Sequence, residues 1–346
     1  MPVIELDSRR LASRHASAPE RVDAIVESSA MRQIFETARR VALGTLPVVL
    51  CGETGTGKEI LARLIHDSGP RRAGPLLCLN CAAVAPSLLE AALFGFEKGA
   101  FTGADTQRKG VFEAADGGTV FLDEIAELTA PAQAALLRVL ETKRFARVGS
   151  TKELHVDVRV ISATHCDLEA MALAGRFRHD LLFRLNALIL RIPPLRERIE
   201  EVPTLARHFL EQANRANATE IQAIDAAAMQ ALVSYSWPGN VRELRNAIDH
   251  AVLFAHGPTV GALDLPERVR DASAIKVRGN SPLRQAIAAL QGDFRARLEH
   301  LEAEVLRHAL EESGWNQTHA ARKLRMPRRT LVHKIKTHGL LRPIDR

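Results

Sequence analysis

"PVVLCGETGTGKE", residues 47–59, is an apolar run that breaks into three glycines and a lysine just before a stretch with helical spacing opens at 58–66. A strand that ends in a glycine-rich loop at a helix start lets backbone N–H groups converge on phosphate oxygens. Gly52, Glu53, Thr54, Gly55, Thr56, Gly57, Lys58 and Glu59 are therefore the expected phosphate-binding residues, with Lys58 as a point charge for the β and γ phosphates. Glu59 stands where Ser or Thr ordinarily carries a hydroxyl to Mg²⁺, so the loop needs a second half to be convincing.

That half is "TVFLDE", Thr119–Glu124, a strand pattern ending in two carboxylates. Asp123 is placed to hold Mg²⁺ through water, and Glu124 to polarise an attacking water. The two stretches together predict ATP binding and hydrolysis with ATP and Mg²⁺ as cofactors. Charge that develops on the γ phosphate must be met by cations placed beforehand. "FRHDLLFRL", 177–185, offers Arg178 and Arg184, and "WPGNVREL", 237–244, offers Arg242. Each arginine alone would read as a surface salt bridge worth about 0–1 kcal/mol.

Around these motifs, "PVVLC" (47–51), "LLCLN" (76–80), "GTVFLD" (118–123), "VRVISAT" (158–164) and "ALILRI" (187–192) alternate with helical patterns. That order predicts an α/β unit with a mostly parallel sheet covered on both faces. From Pro193 to about Val269 no strand signal remains, and a small helical domain is expected. The segment 270–282 is polar and turn-rich, a linker, and residues 1–21 read as a loose tail. Leu283, Ile287, Leu290, Phe294, Leu298, Leu301 and Val305 then step by three or four, a helix with one apolar seam.

From Ser313 onward there are nine Lys/Arg against one acid, so the net charge of +6 leaves about −2 for the rest. A basic terminus on a near-neutral body predicts a polyanion-binding module. Four cysteines in 346 residues exclude a disulfide scaffold, and "CLNC", Cys78–Cys81, is half a zinc site without a second pair. The longest apolar runs fall far below the roughly 20 residues that cross a bilayer. "SRR", 8–10, is followed by no apolar core, so no export signal is read and a cytoplasmic protein without membrane contact is expected.

Taken in order, "GETGTGKE", "LFGFEKGAFTGA", "GGTVFLDE", "FRHDLLFRLN", "PPLRER" and "WPGNVREL" resemble the AAA+ activators of sigma-54 RNA polymerase, the bacterial enhancer-binding proteins of the NtrC class. The resemblance runs from about Val22 to Leu341, and a Glu closing the phosphate loop is that family's own variant. It implies an AAA+ P-loop NTPase with a five-stranded parallel sheet over 22–192, an α-helical lid over 193–269 and a Fis-type helix-turn-helix over 283–346. It also implies that Asn80 holds Glu124 until the γ phosphate arrives, that Thr164 is the first sensor, and that Arg242 is the second, on the lid. Arg178 and Arg184 become fingers offered to a neighbour's ATP, which requires a homo-oligomer, from dimer to hexameric ring.

Gly99, Ala100, Phe101, Thr102, Gly103 and Ala104 are implied to contact the sigma-54 factor of the polymerase holoenzyme, Phe101 inserting a ring and Thr102 a registering hydroxyl. Arg328, Arg329, Thr330, His333 and Lys334 are expected at the bases or phosphates of double-stranded enhancer DNA, with Pro327 starting the recognition helix. The seam helix would pair two modules on a palindromic site. The family pattern is broken at Glu27, Phe96, His165 and Arg325, which stand for Gly, His, Asn and Gly. The 21 residues ahead of the ATPase leave no room for a sensory module, so control by a partner protein or by expression level stays open. The function expected is ATP-driven remodelling of the closed promoter complex to the open one. The rival readings are a DNA-binding repressor that keeps the fold, which predicts a degraded loop, and a remodelling chaperone, which has no use for a DNA-reading module.

Overall fold

The computed structural model describes residues 25–271, 294–324 and 326–340. The tail, nearly all of the linker, the seam residues Leu283, Ile287 and Leu290, and the turn residue Arg325 lie outside the described residues. The chain divides into two compact units, Met1–Arg270 and Asp271–Arg346.

Ahead of the lid, the strands of the first unit are β1 (Val48–Cys51), β2 (Leu76–Asn80), β3 (Gly95–Phe96), β4 (Arg108–Lys109), β5 (Thr119–Asp123), β6 (Arg144–Ala146), β7 (Glu153–His155), β8 (Arg159–Thr164) and β9 (Ile189–Arg191). Five of them form the expected sheet, in the order β2-β5-β8-β1-β9, and every pairing is parallel. Alternation along each strand separates two cores. Val49, Val120, Leu122 and Val160 face one, and Val48, Leu50, Phe121, Ile161 and Ala163 face the other. All six residues of β8 are buried, as a central parallel strand covered on both faces requires.

The helix Ser29–Ala42 covers one face with Met31, Phe35, Ala38 and Ala42, and Ser28 caps it by accepting from the Met31 N–H at 3.2 Å. Buried Arg159 donates to the carbonyls of Val41 and Ala42 at 2.7 Å, satisfying the exit of that helix from the foot of β8. The register decides which side chains meet at the end of the sheet, because Asn80 lies opposite Asp123 and Cys51 opposite Thr164. The chain therefore leaves β1, β2, β5 and β8 along one edge of the sheet, at the crevice where such folds bind ligands.

Helices Val202–Asn217, Ala226–Ser234 and Asn240–Phe254 make the lid around fully buried Trp237, whose indole donates to the Leu232 carbonyl at 2.8 Å. The expectation of no strand there is corrected by a two-residue parallel ribbon, β10 (Ala223–Ile224) with β11 (Thr259–Val260). Two antiparallel ribbons, β3 with β4 and β6 with β7, are likewise absent from the sequence pattern. Two or three residues carry too little periodicity to announce a strand.

The second unit contains helices Phe294–Glu312, Gln317–Lys323 and Arg328–Thr337, closed over Leu306, Leu310, Ala320, Ala321, Leu331 and Leu340. Asn316 caps the second helix by accepting from Thr318 and His319, and Pro327 stands at the N-cap of the third. Val305, the last seam residue, is 44% exposed while Leu306 beside it is buried in the module's own core.

Candidate functional site

The phosphate loop is shaped by its glycines. Gly55 and Gly57 have φ of 82° and 102°, and a Cβ on Gly55 would stand 2.4 Å from the Gly239 carbonyl. Thr56 Oγ1 donates to the Glu53 carbonyl at 2.8 Å, and Lys58, nearly buried, donates to the Gly52 and Glu53 carbonyls at 2.8 and 3.3 Å. Its Nζ is also 3.9 Å from Glu124 Oε1, so the ends of β1 and β5 meet at this lysine. Glu59 instead points along the helix surface toward Arg63 at 3.9 Å.

At the end of β5, burial and the Glu124 carboxylate push Asp123 above its ordinary pKa. Its Oδ1 accepts from the Glu124 N–H at 3.1 Å. Glu124 sits in the left-handed region, φ 51° and ψ 53°, a conformation that costs a non-glycine residue about 1–2 kcal/mol and turns its side chain out of the strand direction. Asn80, in register with Asp123, donates to Asp123 Oδ2 at 3.3 Å, and its Oδ1 accepts from the Ala82 and Ala83 N–H groups. The expected bond from Asn80 to Glu124 is therefore replaced by one to Asp123, because neighbouring parallel strands put in-register side chains together. Glu124 is held by His165, whose Nδ1 lies 2.7 Å from Oε2. Thr164 is fully buried, its Oγ1 accepting from the Cys166 N–H at 2.9 Å.

No group of three or more His, Cys, Asp or Glu among the described residues is placed to hold a metal. Mg²⁺ is commonly held by one or two carboxylates together with substrate phosphates and waters. Asp123 at the strand end fits that donor set. Burial pushes the thiols of Cys78 and Cys81 up to about 11 and about 12, as for cysteines that pack as small apolar side chains.

The lid grips the phosphate loop from outside. Arg196 donates to both carboxylate oxygens of Glu53 at 2.7 and 2.9 Å, and Asn240 donates to Glu53 Oε2 and to the Thr54 carbonyl at 3.1 Å. The Val241 N–H donates to the Gly55 carbonyl at 3.0 Å, which sets Arg242 beside the loop with its side chain exposed. Beneath lies a buried ion pair, Arg198 with Glu201 at 3.0 Å. Arg198 also donates to the Thr56 carbonyl, and Glu201 accepts from Ser28 N and Oγ at 3.1 and 2.7 Å. Arg196, Arg198 and Asn240 stand inside the motifs "PPLRER" and "WPGNVREL", yet nothing local in either motif ties them to the phosphate loop.

Arg178 at the N-cap and Arg184 in the last turn of the helix His179–Leu185 are both exposed. Their partners are Asp180 and the Leu140 carbonyl rather than the phosphate loop, and Phe183 between them is 79% exposed.

The Gly99–Ala104 stretch lies in the connection between β3 and β4. It closes by a Gly99 N–H bond to the Ala104 carbonyl at 2.8 Å and an Ala104 N–H bond to the Phe101 carbonyl at 3.0 Å. Gly99 and Gly103 have φ of 82° and 96° with open space around them. Ala104 is buried, whereas Phe101, Thr102 and Gly103 are exposed. The Phe101 ring lies on Phe96 at a centroid distance of 4.9 Å and 58° between planes. Arg147, bonded to both Glu97 and Glu113, braces the base of the loop.

In the second unit Arg328, Arg329, Thr330 and His333 are exposed on the third helix. Lys334 is partly withdrawn into an ion pair with Glu302, which also accepts from His338 at 2.9 Å.

Three family descriptions match in succession: Sigma-54 interaction domain over residues 24–191, AAA+ ATPase lid domain over 196–281, and Bacterial regulatory protein, Fis family, over 297–338. Regulatory protein AtoC of Escherichia coli K12 is 41% identical over 316 residues, 91% of this chain and 68% of that protein. Transcriptional regulatory protein ZraR of Klebsiella oxytoca is 45% identical over 309 residues, 89% of this chain and 67% of that protein. Crystal structures of NtrX from Brucella abortus are 33% identical and cover 96% of this chain and 72% of theirs. The TM-score is 0.69 for the complex with ADP and 0.67 for the complex with ATP.

Proposed function

Because this chain belongs to the sigma-54 activator family, an AAA+ ATPase with its own lid and a Fis-type DNA-binding domain, we propose that it couples ATP hydrolysis to remodelling of the sigma-54 holoenzyme, from closed to open promoter complex, while anchored on upstream DNA. ATP is bound by residues 52–59, with Arg242 on the lid. Asp123 carries Mg²⁺ through water, and Glu124 activates the attacking water. Arg178 and Arg184 act across a subunit boundary in a ring, and exposed Phe183 between them supports that reading as an apolar contact for a second copy. Arg328, Arg329, Thr330, His333 and Lys334 face DNA, in a cytoplasmic setting where a further protein can set the activity.

One observation carries the proposal: a loop with no ionisable side chain stands exposed on the same α/β body whose β1 and β5 ends build the nucleotide site. Such a loop cannot do hydrolytic chemistry, but it can present a ring to another protein. The test is Phe101→Ala, assayed for ATPase rate, enhancer binding and permanganate-reactive promoter melting. We expect the first two within about twofold of wild type and melting lost at least about tenfold, the size of effect that removal of one buried aromatic anchor produces. A variant that still melts the promoter would remove the loop from the mechanism.

A further inference from the structure

We propose that His165 is the positioning residue for Glu124, holding the carboxylate toward the phosphate end of the site. The inference rests on the proposed role of Glu124 in activating water. Two other residues could do the holding, and the structure has both engaged elsewhere. The carbonyl oxygen of Asn80 caps the turn that follows β2, and its amide nitrogen goes to Asp123. The hydroxyl of Thr164 is fully buried and accepts from the Cys166 N–H.

His165 lies one residue beyond β8 and Glu124 one residue beyond β5, and these two strands are parallel neighbours. Their side chains leave the sheet side by side, and Nδ1 meets Oε2 at 2.7 Å. The other oxygen, Oε1, is 3.9 Å from Lys58 Nζ, so the carboxylate is gripped between the phosphate loop and β8. An ionised carboxylate only accepts, which assigns a proton to Nδ1. In the neutral ring Nε2 is then the acceptor, facing Cys166 Sγ at 3.5 Å. The left-handed backbone at Glu124 turns its side chain out of the strand direction, and the His165 ring meets it there.

Nδ1 is bonded to Cγ, as the amide nitrogen of Asn is. An Asn at 165 therefore presents a donor at the same branch point, and His here keeps the donor while changing the ring that carries it. Among the described residues His165 makes no hydrogen bond to the phosphate loop, so it acts through Glu124. With the side chain 46% exposed, its replacement leaves the core intact.

The experiment measures steady-state ATP hydrolysis and binding of a fluorescent ATP analogue by the full chain carrying His165→Ala, His165→Asn, Glu124→Gln, or Glu124→Gln with His165→Ala. Misplacing a reacting group by about 1 Å costs on the order of 100-fold, so His165→Ala should lower kcat about 10- to 100-fold, with KM and analogue affinity within about twofold. His165→Asn should recover all but about threefold of the rate. Because the residue works through Glu124, adding His165→Ala to Glu124→Gln should cost no more than about twofold further. A wild-type kcat in His165→Ala, no recovery with Asn, or a full multiplicative loss in the double variant would overturn the inference. A fully active Glu124→Gln would instead remove the role of Glu124 itself, and the dependence on His165 with it.

Discussion

Glu53 is a phosphate-loop residue whose carboxylate serves the lid. Its bonds from Arg196, and then from Asn240, hold the carboxyl down at about 2 from an ordinary 4.5. A depressed pKa in the folded state means the contribution is present above the ordinary carboxylate range and is lost as pH falls from about 4.5 toward about 2. The side chain is 42% exposed, so solvent screens the pair and its effect on stability is small. In a Trp315→Phe background the emission of buried Trp237 reports lid packing, and the Glu53 pair should add a small component to its change between about pH 4.5 and 2. In Glu53→Gln that small component should be absent. An unaltered acid profile would assign the change to other carboxylates. The phosphate loop and the paired carboxylates were legible in the sequence because their chemistry fixes residue type and spacing within a few positions. The partners of Glu53 and Glu124 were not, because Arg196 and His165 arrive from 143 and 41 residues away.

Among elements, the β3–β4 connection shows how a short segment is held without secondary structure of its own. Two backbone bonds close it, Arg147 braces its base, and the Phe96–Phe101 ring contact sets where the tip lies. The family usually has His at position 96, and here a second ring makes the tip's resting contact apolar. An aromatic pair contributes about 0.5–1.5 kcal/mol beyond burial, so Phe96→Ala should speed tryptic cleavage after exposed Lys98 about 2- to 10-fold, with ATP-analogue affinity unchanged. Unchanged cleavage would show that the backbone bonds alone hold the tip. The five sheet strands were legible as β-branched runs, with ends shifted by one or two residues. The ribbons were not, since pairs such as Gly95 with Lys109 and Ala223 with Thr259 join two-residue strands that carry no local pattern.

For the molecule taken whole, charge divides the labour. The basic excess of the last 34 residues sits on a unit with its own core, apart from the near-neutral body that carries the nucleotide site. Exposed Arg328 and Arg329 are therefore expected to enter DNA binding as independent cations, whereas Lys334 is partly neutralised by Glu302. Replacing either arginine with Ala should weaken enhancer binding, and a phosphate contact should lower the slope of log K against log salt by about 1. Hydrolysis of ATP in the absence of DNA should stay within about twofold, because the two units fold around separate cores. A DNA-independent loss of hydrolysis would mean that the units are energetically joined. Composition marks the basic end from Ser313, inside the second unit, rather than the boundary between the units at Arg270 and Asp271.

The buried Arg198–Glu201 pair ties three distant stretches of chain at one point: Ser28 ahead of the first helix, Glu201 at the start of the lid, and Thr56 in the phosphate loop. In mechanical terms this is a knot with three cords, almost free of slack because every link is a charge-assisted bond of 2.7–3.1 Å sealed from water. Ser28 and the phosphate loop are thus joined by a side-chain route through Glu201 and Arg198 that bypasses the sheet.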